Sequence, residues 1–231
     1  MSAATRCATL SLFLSLLLIS CAAARRPGPA PAATLADADA KLARLRPVLR
    51  GYPPRVGSEE ERRQVARLWQ QTEAELNQLA EEYPDDPTVQ WRLGELYRFG
   101  HDLDVPEAGS QCVEHLQRAI ALRPNYVDAY LELGLFYSNA GIQWARLGER
   151  HLKKAIELSA PKPLPRAWRA LAITHYYQGK FNSSVSAADT YLSLVPNDDE
   201  MRDFRSIALR ALASGARGGA PTGRAVPFEP N

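Results

Sequence analysis

Hydrophobic residues recur along most of the chain at the three- and four-residue spacing of amphipathic helices, and prolines end the segments they define. One such helix runs from Ser58 to about Glu82. Its apolar face carries Val65, Leu68, Thr72, Leu76 and Leu79. Pro84 follows this helix, just as Pro124 and Pro196 follow later ones. Because proline lacks the N–H that a continuing helix needs, the pattern predicts an all-α protein built from short helices.

The helical segments also repeat. The stretch 116–137, LQRAIALRPNYVDAYLELGLFY, has the pattern of a helix end, a proline turn and a helix start, and 152–177 repeats it with variations. Ala119 and Ala155 are 36 residues apart, as are Ala155 and Tyr191. Self-similarity at this period predicts stacked helical hairpins, each too small to bury its own apolar face.

The third copy, from Pro165 to Asp198, runs through the whole pattern without a gap. Its residues at the positions that carry the pattern are Trp168, Leu171, Ala172, Ser184, Ala188 and Pro196. This pattern resembles the tetratricopeptide repeat (TPR) family, whose period is about 34 residues. The resemblance implies a superhelical solenoid of antiparallel hairpins, each with a first helix A and a second helix B.

Two further copies fit the family with insertions. Repeat one, Pro87 to Tyr126, has six extra residues within GHDLDVPEAGS, and repeat two, Val127 to Leu164, has two extra residues between its helices and two after them. Gly94 and Gly134 take the small-residue position at which helix A meets helix B. Cys112 takes a small position on helix B, which predicts a buried thiol without reactivity.

Flanking segments complete the predicted layout. In chain order it is a signal peptide at 1–20, a Pro/Ala tether at 21–34, a helical N-terminal cap or degenerate repeat at 35–83, three repeats with a capping C-terminal helix at 84–213, and a disordered tail at 214–231. Ser58 and Glu61 form a capping box at the start of the 58–82 helix, and Asp198 can cap the C-terminal helix, which runs to about Leu212. A coiled-coil partner surface is the alternative interpretation of 35–83.

The N-terminus resembles a bacterial lipoprotein signal. Arg6 precedes an apolar segment, Leu10 to Ile19, that is too short to span a bilayer. Cys21 ends the sequence LISC, which resembles a lipobox, and Ala22 after it favours sorting to the outer membrane with the protein facing the periplasm. The alternative is an ordinary secretory signal that is cleaved after Ala24.

Composition narrows the functional classes. The 231 residues carry a net charge of +2, which argues against nucleic acid as the main partner. Once Cys7 is removed and Cys21 is acylated, Cys112 stands alone, so no disulfide and no thiol pair for a metal can form. The four histidines are scattered, and nucleotide-binding and hydrolase motifs are missing from the sequence. We therefore expect no enzyme activity, no cofactor and no metal.

In the TPR family, helix A residues line a groove that binds peptides or partner helices. The resemblance therefore implies a partner-binding groove made of Trp91, Arg92, Glu95, Arg98, Phe99, Leu131, Glu132, Leu135, Asn139, Arg166, Arg169, Ile173, Tyr176 and Tyr177. Aromatic and arginine side chains are frequent at binding hot spots. They suit an extended segment or an amphipathic helix with some acidic character. TPRs that clamp chaperone C-termini need Lys and Asn at the positions where this chain has Trp91, Glu95 and Glu132, so a chaperone-tail receptor is not expected.

Two functions agree with this sequence. The first is a membrane-anchored scaffold or assembly factor that mediates protein–protein interactions in an envelope complex of the pilus, secretin, secretion or motility type. The second is a periplasmic protein that binds a small ligand or solute between its helices. Few polar groups converge in the predicted groove, which favours the scaffold.

Overall fold

A computed structural model describes residues 28–49 and 54–215 of the chain. The predicted signal peptide, Cys21, the first part of the tether and nearly all of the predicted tail lie outside these residues. Within them the protein consists of α-helices and one short 3-10 helix, with no strand. The helices are α1 (Ala32–Leu45), α2 (Glu59–Glu82), α3 (Pro87–Asp102), α4 (Ala108–Leu122), α5 (Val127–Asn139), the 3-10 helix (Ile142–Trp144), α6 (Ala145–Ser159), α7 (Pro165–Tyr177), α8 (Phe181–Leu194) and α9 (Asp199–Ala213).

The helices α3 to α8 form three hairpins, each packed against the next. Helix α3 pairs with α4, α5 with α6, and α7 with α8, while α9 covers the exposed side of α8. The first helices of the hairpins also contact one another, since α5 packs against both α3 and α7. This arrangement confirms the predicted all-α solenoid with a capping C-terminal helix.

Side-chain caps fix where the helices begin. The Ser58 hydroxyl accepts the Glu61 backbone N–H at 3.1 Å, and the Glu61 carboxylate accepts the Gly57 N–H at 2.6 Å. At the start of α9, the Asp198 carboxylate accepts the Met201 N–H at 2.9 Å. Both predicted caps are therefore present, and each satisfies a backbone donor that the first helical turn leaves free.

Glycine brings the two helices of a hairpin into close contact. A Cβ atom added at Gly94 would lie 2.4 Å from Leu116 Cγ, and one added at Gly134 would lie 2.6 Å from Leu152 Cγ. Leu116 and Leu152 are fully buried in this space. Cys112 is fully buried as predicted, and burial raises the pKa of its thiol.

The N-terminal helices extend the solenoid by one irregular unit. Helix α1 begins at Ala32, three residues before the predicted start at Leu35, so the end of the predicted tether is helical. It packs against both α2 and α3. Helix α1 thus lies beside α3, as α3 lies beside α5.

Helix α2 buries a face that differs slightly from the predicted one. Trp69 is buried, whereas its neighbour Leu68 is only partly buried. The Trp69 indole N–H donates to the Leu96 carbonyl at 2.7 Å, and its ring lies against Gly100 of α3. The Trp69 side of α2 therefore faces α3, because the indole fits beside Gly100 and its N–H is paired with a backbone carbonyl there.

We predict that Gly134→Ala destabilises the protein. The added methyl carbon would lie 2.6 Å from Leu152 Cγ and 3.0 Å from the Leu152 backbone nitrogen. Overpacking of this kind costs about 1–3 kcal/mol, which more than offsets the gain of roughly 1 kcal/mol in helix propensity. Urea unfolding measures the difference. Gly109→Ala in α4 is the matched control, because the nearest atom there, Phe136 Cζ, is 3.3 Å away. A G134A variant as stable as G109A would contradict the close-contact account.

Candidate partner-binding face

The fourteen residues predicted to line a groove are called here the A-helix face, and the structure buries most of them. Nine are buried, namely Glu95, Arg98, Phe99, Leu131, Glu132, Leu135, Arg169, Ile173 and Tyr176. Four are partly exposed, namely Trp91, Arg92, Arg166 and Tyr177. Asn139 is exposed. The expectation of an open groove along the whole face therefore differs from the structure, which leaves only its ends accessible.

Glu132 of α5 is at the centre of the A-helix face. Its carboxylate accepts the Arg98 Nε–H from α3 at 2.8 Å and the Arg166 Nη2–H from α7 at 3.0 Å. Glu132 is 1% exposed and Arg98 is 4% exposed. Arg98 also lies 3.7 Å from Asp102. One buried carboxylate thus joins three successive first helices, each partner being 34 residues away.

The two arginines keep Glu132 ionised despite its burial. Burial opposes the charged carboxylate, but Arg166 and Arg98 outweigh it and lower the pKa of Glu132 below its usual value. Arginine remains protonated at any pH at which the protein is folded. Glu132 and its two arginines therefore stay charged together. Two charge-assisted hydrogen bonds compensate the free energy that is lost when these groups are removed from water.

Equivalent pairs connect α1 to α3. Arg92 donates two hydrogen bonds to the Asp39 carboxylate of α1, from Nε at 2.7 Å and from Nη2 at 2.6 Å. Arg46, directly after α1, donates to both carboxylate oxygens of Glu95, at 2.8 and 2.9 Å. Glu95 is 1% exposed. Two-pronged pairs of this geometry fix orientation as well as distance, so they define how α1 lies on α3.

A further pair connects α7 to α9. Arg169 Nη2–H donates to the Glu200 carboxylate at 2.9 Å, and Arg169 Nε lies 3.7 Å from Asp198. The other oxygen of Glu200 lies 3.7 Å from Arg55 Nη2. Arg–carboxylate pairs therefore link all four neighbouring pairs of helices across the face, from α1 to α9.

The described residues at both ends of the connection between α1 and α2 contact the first helices and α9. Arg46 contacts α3 at one end of the solenoid, and Arg55 contacts the start of α9 at the other. Leu49 and Pro54 are buried between these contacts, and the Arg55 N–H donates to the Val48 carbonyl at 3.0 Å. The described residues on both sides of 50–53 thus cover surface that the sequence predicted to be open.

The apolar members of the face belong to the helix interfaces. Leu131, Leu135 and Ile173 pack into one core cluster between α5 and α7. The Tyr176 ring makes edge contacts with Phe181 and Phe204. These side chains therefore hold neighbouring helices of the solenoid together.

Sequence reasoning missed the role of Arg46 and Arg55, because they lie in a proline-rich loop without periodicity. A signal was present for the central pairs. Glu132 lies 34 residues from Arg98 and 34 residues from Arg166, close to the 36-residue spacing of Ala119 and Ala155. Opposite charges about one repeat length apart indicate side chains that meet between neighbouring repeats.

The four histidines lie on four different helices, namely α3, α4, α6 and α7. Burial lowers the pKa of His115, whose Nδ1 lies 2.8 Å from the Gln90 side-chain oxygen. His175 is buried, as predicted, with its Nε2 3.3 Å from Glu149. Across residues 28–49 and 54–215, His, Cys, Asp and Glu nowhere gather in a group of three or more that could hold a metal ion. Among these residues, no helix has both the length and the apolar character needed to span a bilayer.

Comparison with known proteins identifies the type of fold. The chain matches no protein-family model and no curated protein. It is similar to the crystal structure of a thermophilic TPR protein from Thermus thermophilus, with a TM-score of 0.52 and 21% sequence identity. The match covers 77% of this chain and 93% of the Thermus chain. At this identity the similarity shows a TPR-like fold and leaves function to the site itself.

We predict that Glu132→Gln strongly destabilises the protein. The amide removes the charge that compensates two arginines, one of them buried, and breaking a buried pair costs about 3–5 kcal/mol. Urea unfolding at neutral pH measures the loss. Glu157→Gln is the matched control, because Glu157 is 68% exposed in its pair with Lys154, and such pairs contribute about 0–1 kcal/mol. Equal losses in both variants would contradict the assigned role of Glu132.

The same variant gives a pH test. Because the pKa of Glu132 is lower in the folded than in the unfolded chain, its contribution is complete above the unfolded value, near 4.5, and is lost as the pH falls toward the folded value. The stability difference between wild type and E132Q should therefore shrink on acidification below about pH 4.5. A difference that is constant from pH 7 to pH 3 would contradict the assignment.

Proposed function

We propose that this protein is a membrane-anchored scaffold that mediates protein–protein interactions in a bacterial envelope complex, of the pilus, secretin, secretion or motility type. The observation that carries the proposal is the stack of hairpins whose first helices lie side by side from α1 to α7. Stacks of this kind bind extended segments or helices of other proteins, and here the ends of the first helices stay accessible.

Anchoring rests on the sequence LISC and on the position of the folded body behind it. Cys21 lies seven residues before Gly28, so a fully extended chain spans at most about 25 Å between them. The Ala30 N–H donates to the Asp86 carboxylate at 2.6 Å, which ties this part of the chain to the start of α3. An acylated Cys21 would therefore hold the solenoid close to the outer membrane, on its periplasmic side.

The partner surface comprises the accessible ends of the A-helix face. Trp91, Arg92 and Arg166 lie in the first halves of α3 and α7, and Asn139 and Tyr177 end α5 and α7. Trp91 and Tyr177 supply large rings with low conformational freedom, as hot-spot residues do.

A partner that reached the middle of the face would have to compete with the chain's own segment. Arg46 and Arg55 already bind Glu95 and Glu200 there. Competition with the segment therefore favours partners that bind first at the ends of the face.

We predict that Cys21→Ser abolishes acylation and, with it, the membrane attachment that survives washing with high salt. Without the thiol no acyl chain can be added, and a stable anchor needs more than one chain. Labelling of cells with radioactive palmitate, followed by membrane fractionation, measures the loss, and mass spectrometry of the mature N-terminus identifies the cleavage site. Cys112→Ser is the matched control, and it should remain attached. A mature chain that begins after Ala24 would contradict the lipoprotein assignment.

We also predict that one envelope protein is captured through the A-helix face. In a crosslinking pull-down from cells, Asn139→Ala/Tyr177→Ala should lose this partner at least tenfold, because both residues are accessible at the ends of helices. Asn125→Ala/Tyr83→Ala is the matched control at the opposite helix ends and should retain it.

A partner kept equally by both variants would place the interface elsewhere on the solenoid. Failure to capture any partner would contradict the scaffold proposal.

A further inference from the structure

The most exposed large apolar side chains of the solenoid lie at the corner between α5 and α6. Ile142 is 58% exposed and Trp144 is 46% exposed. Both belong to the 3-10 helix that follows Gly141, within the residues that repeat two carries beyond the family pattern. Exposed tryptophan and isoleucine side by side cost solvation free energy, so they point to a surface with a binding role.

Cations continue from this corner along the outer side of α6. Gly148, Leu152 and Ala155 are buried on the inner side of α6, and Arg146 and Arg150 are exposed on its outer side. Neither of these arginines forms a salt bridge or side-chain hydrogen bond with another described residue, unlike most cations of the solenoid. The helix end thus presents unpaired guanidinium groups within two turns of Trp144.

The adjoining surface is also positive. Lys153 and Lys180 share the Glu149 carboxylate, at 2.6 and 2.7 Å, and Lys154 pairs with Glu157. The shallow surface that these residues share with Arg146 and Arg150 holds five cations and two carboxylates, an excess of three positive charges. Burial opposes the ionisation of Glu149, but Lys153, Lys180 and His175 outweigh it and hold the pKa of the carboxyl down to about 2. Glu149 therefore remains ionised at neutral pH.

We propose that this surface, made of Ile142, Trp144, Arg146, Arg150 and Lys153, docks onto the anionic surface of a lipid bilayer. A bilayer matches both of its properties at once. Indole and aliphatic groups partition to the depth of the headgroups, and arginine and lysine bind the phosphates beside them. A helix with a packed inner side, exposed cations and an aromatic end lies flat on such a surface.

This inference is independent of the lipid anchor, although it would orient an anchored protein. An acyl chain on Cys21 restricts distance from the membrane and leaves rotation free. Contact through α6 would fix the rotation as well. The test must therefore use a chain without an anchor, so that failure of the anchor and failure of this surface are distinguishable.

The experiment is vesicle binding by the chain 21–231 with Cys21→Ser, which has neither the apolar segment Leu10–Ile19 nor an acyl chain. Vesicles contain phosphatidylglycerol and phosphatidylcholine in equal parts, or phosphatidylcholine alone. We expect cosedimentation with the anionic vesicles and at least tenfold weaker binding to the neutral ones. Binding should weaken as salt is raised, because headgroup charges are screened within about one Debye length.

Two variants locate the contact. Arg146→Gln/Arg150→Gln should lower the partition coefficient about 25-fold, since each cation near an anionic bilayer contributes roughly a factor of five. Ile142→Ser/Trp144→Ser should lower it at least tenfold, and in the parent chain brominated lipid should quench the emission of Trp144. Circular dichroism confirms that each variant is folded.

Matched controls lie on other helices. Leu209→Ser/Leu212→Ser removes two apolar side chains of α9 that are 37% and 36% exposed, and Arg63→Gln/Arg67→Gln removes two cations of α2 that are paired with Glu60. Both should bind like the parent chain. No binding to anionic vesicles, or equal losses in controls and α6 variants, would overturn the proposal. It would also be overturned if the α6 variants bound vesicles normally but lost an acidic protein from a pull-down, since the surface would then be a protein interface.

Discussion

The contact between Glu132 and its two arginines is the constraint on which the arrangement of the hairpins depends. A buried carboxylate is tolerated only with partners at hydrogen-bond distance. Arg98 from α3 and Arg166 from α7 meet this requirement from opposite sides. A shift of any of the three helices by one turn would separate the charges, so the contact specifies how neighbouring repeats align. Apolar packing alone would tolerate several alignments, because leucine and alanine fit against one another in many ways.

The same chemistry extends to both ends of the solenoid. Asp39 and Arg46 attach α1 through pairs with α3, and Glu200 attaches α9 through Arg169. Neighbouring helices therefore cover much of the surface of the first helices, which explains why α3 and α7 bury several polar residues and α5 buries Glu132. A face that resembles a binding groove in sequence is largely interior in structure.

The sequence predicts the hairpins well because their determinants are local. Gly94 and Gly134 have the close contacts with Leu116 and Leu152 that their repeat positions imply, and the caps at Ser58 and Asp198 are where expected. The partner of the buried Glu95 could not be predicted in this way. It is Arg46, which lies in a loop without periodicity and contacts a helix that is distant in sequence. Trp69 escaped prediction for a related reason, since its burial depends on a carbonyl of another helix.

The measurement that tests this account most directly is the distance between the connecting segment and α9 in solution. Spin labels at Arg55→Cys and Asp203→Cys, in the chain 21–231 with Cys21→Ser, report it by pulsed electron resonance, and buried Cys112 stays unlabelled. The segment keeps its place without the Arg55 guanidinium, because the buried side chains of Leu49 and Pro54 still hold it. The account predicts a single narrow distribution at short distance, because Arg55 lies 3.7 Å from Glu200, one turn before Asp203. A broad distribution that extends to long distances would contradict it, since the segment would then leave the A-helix face open.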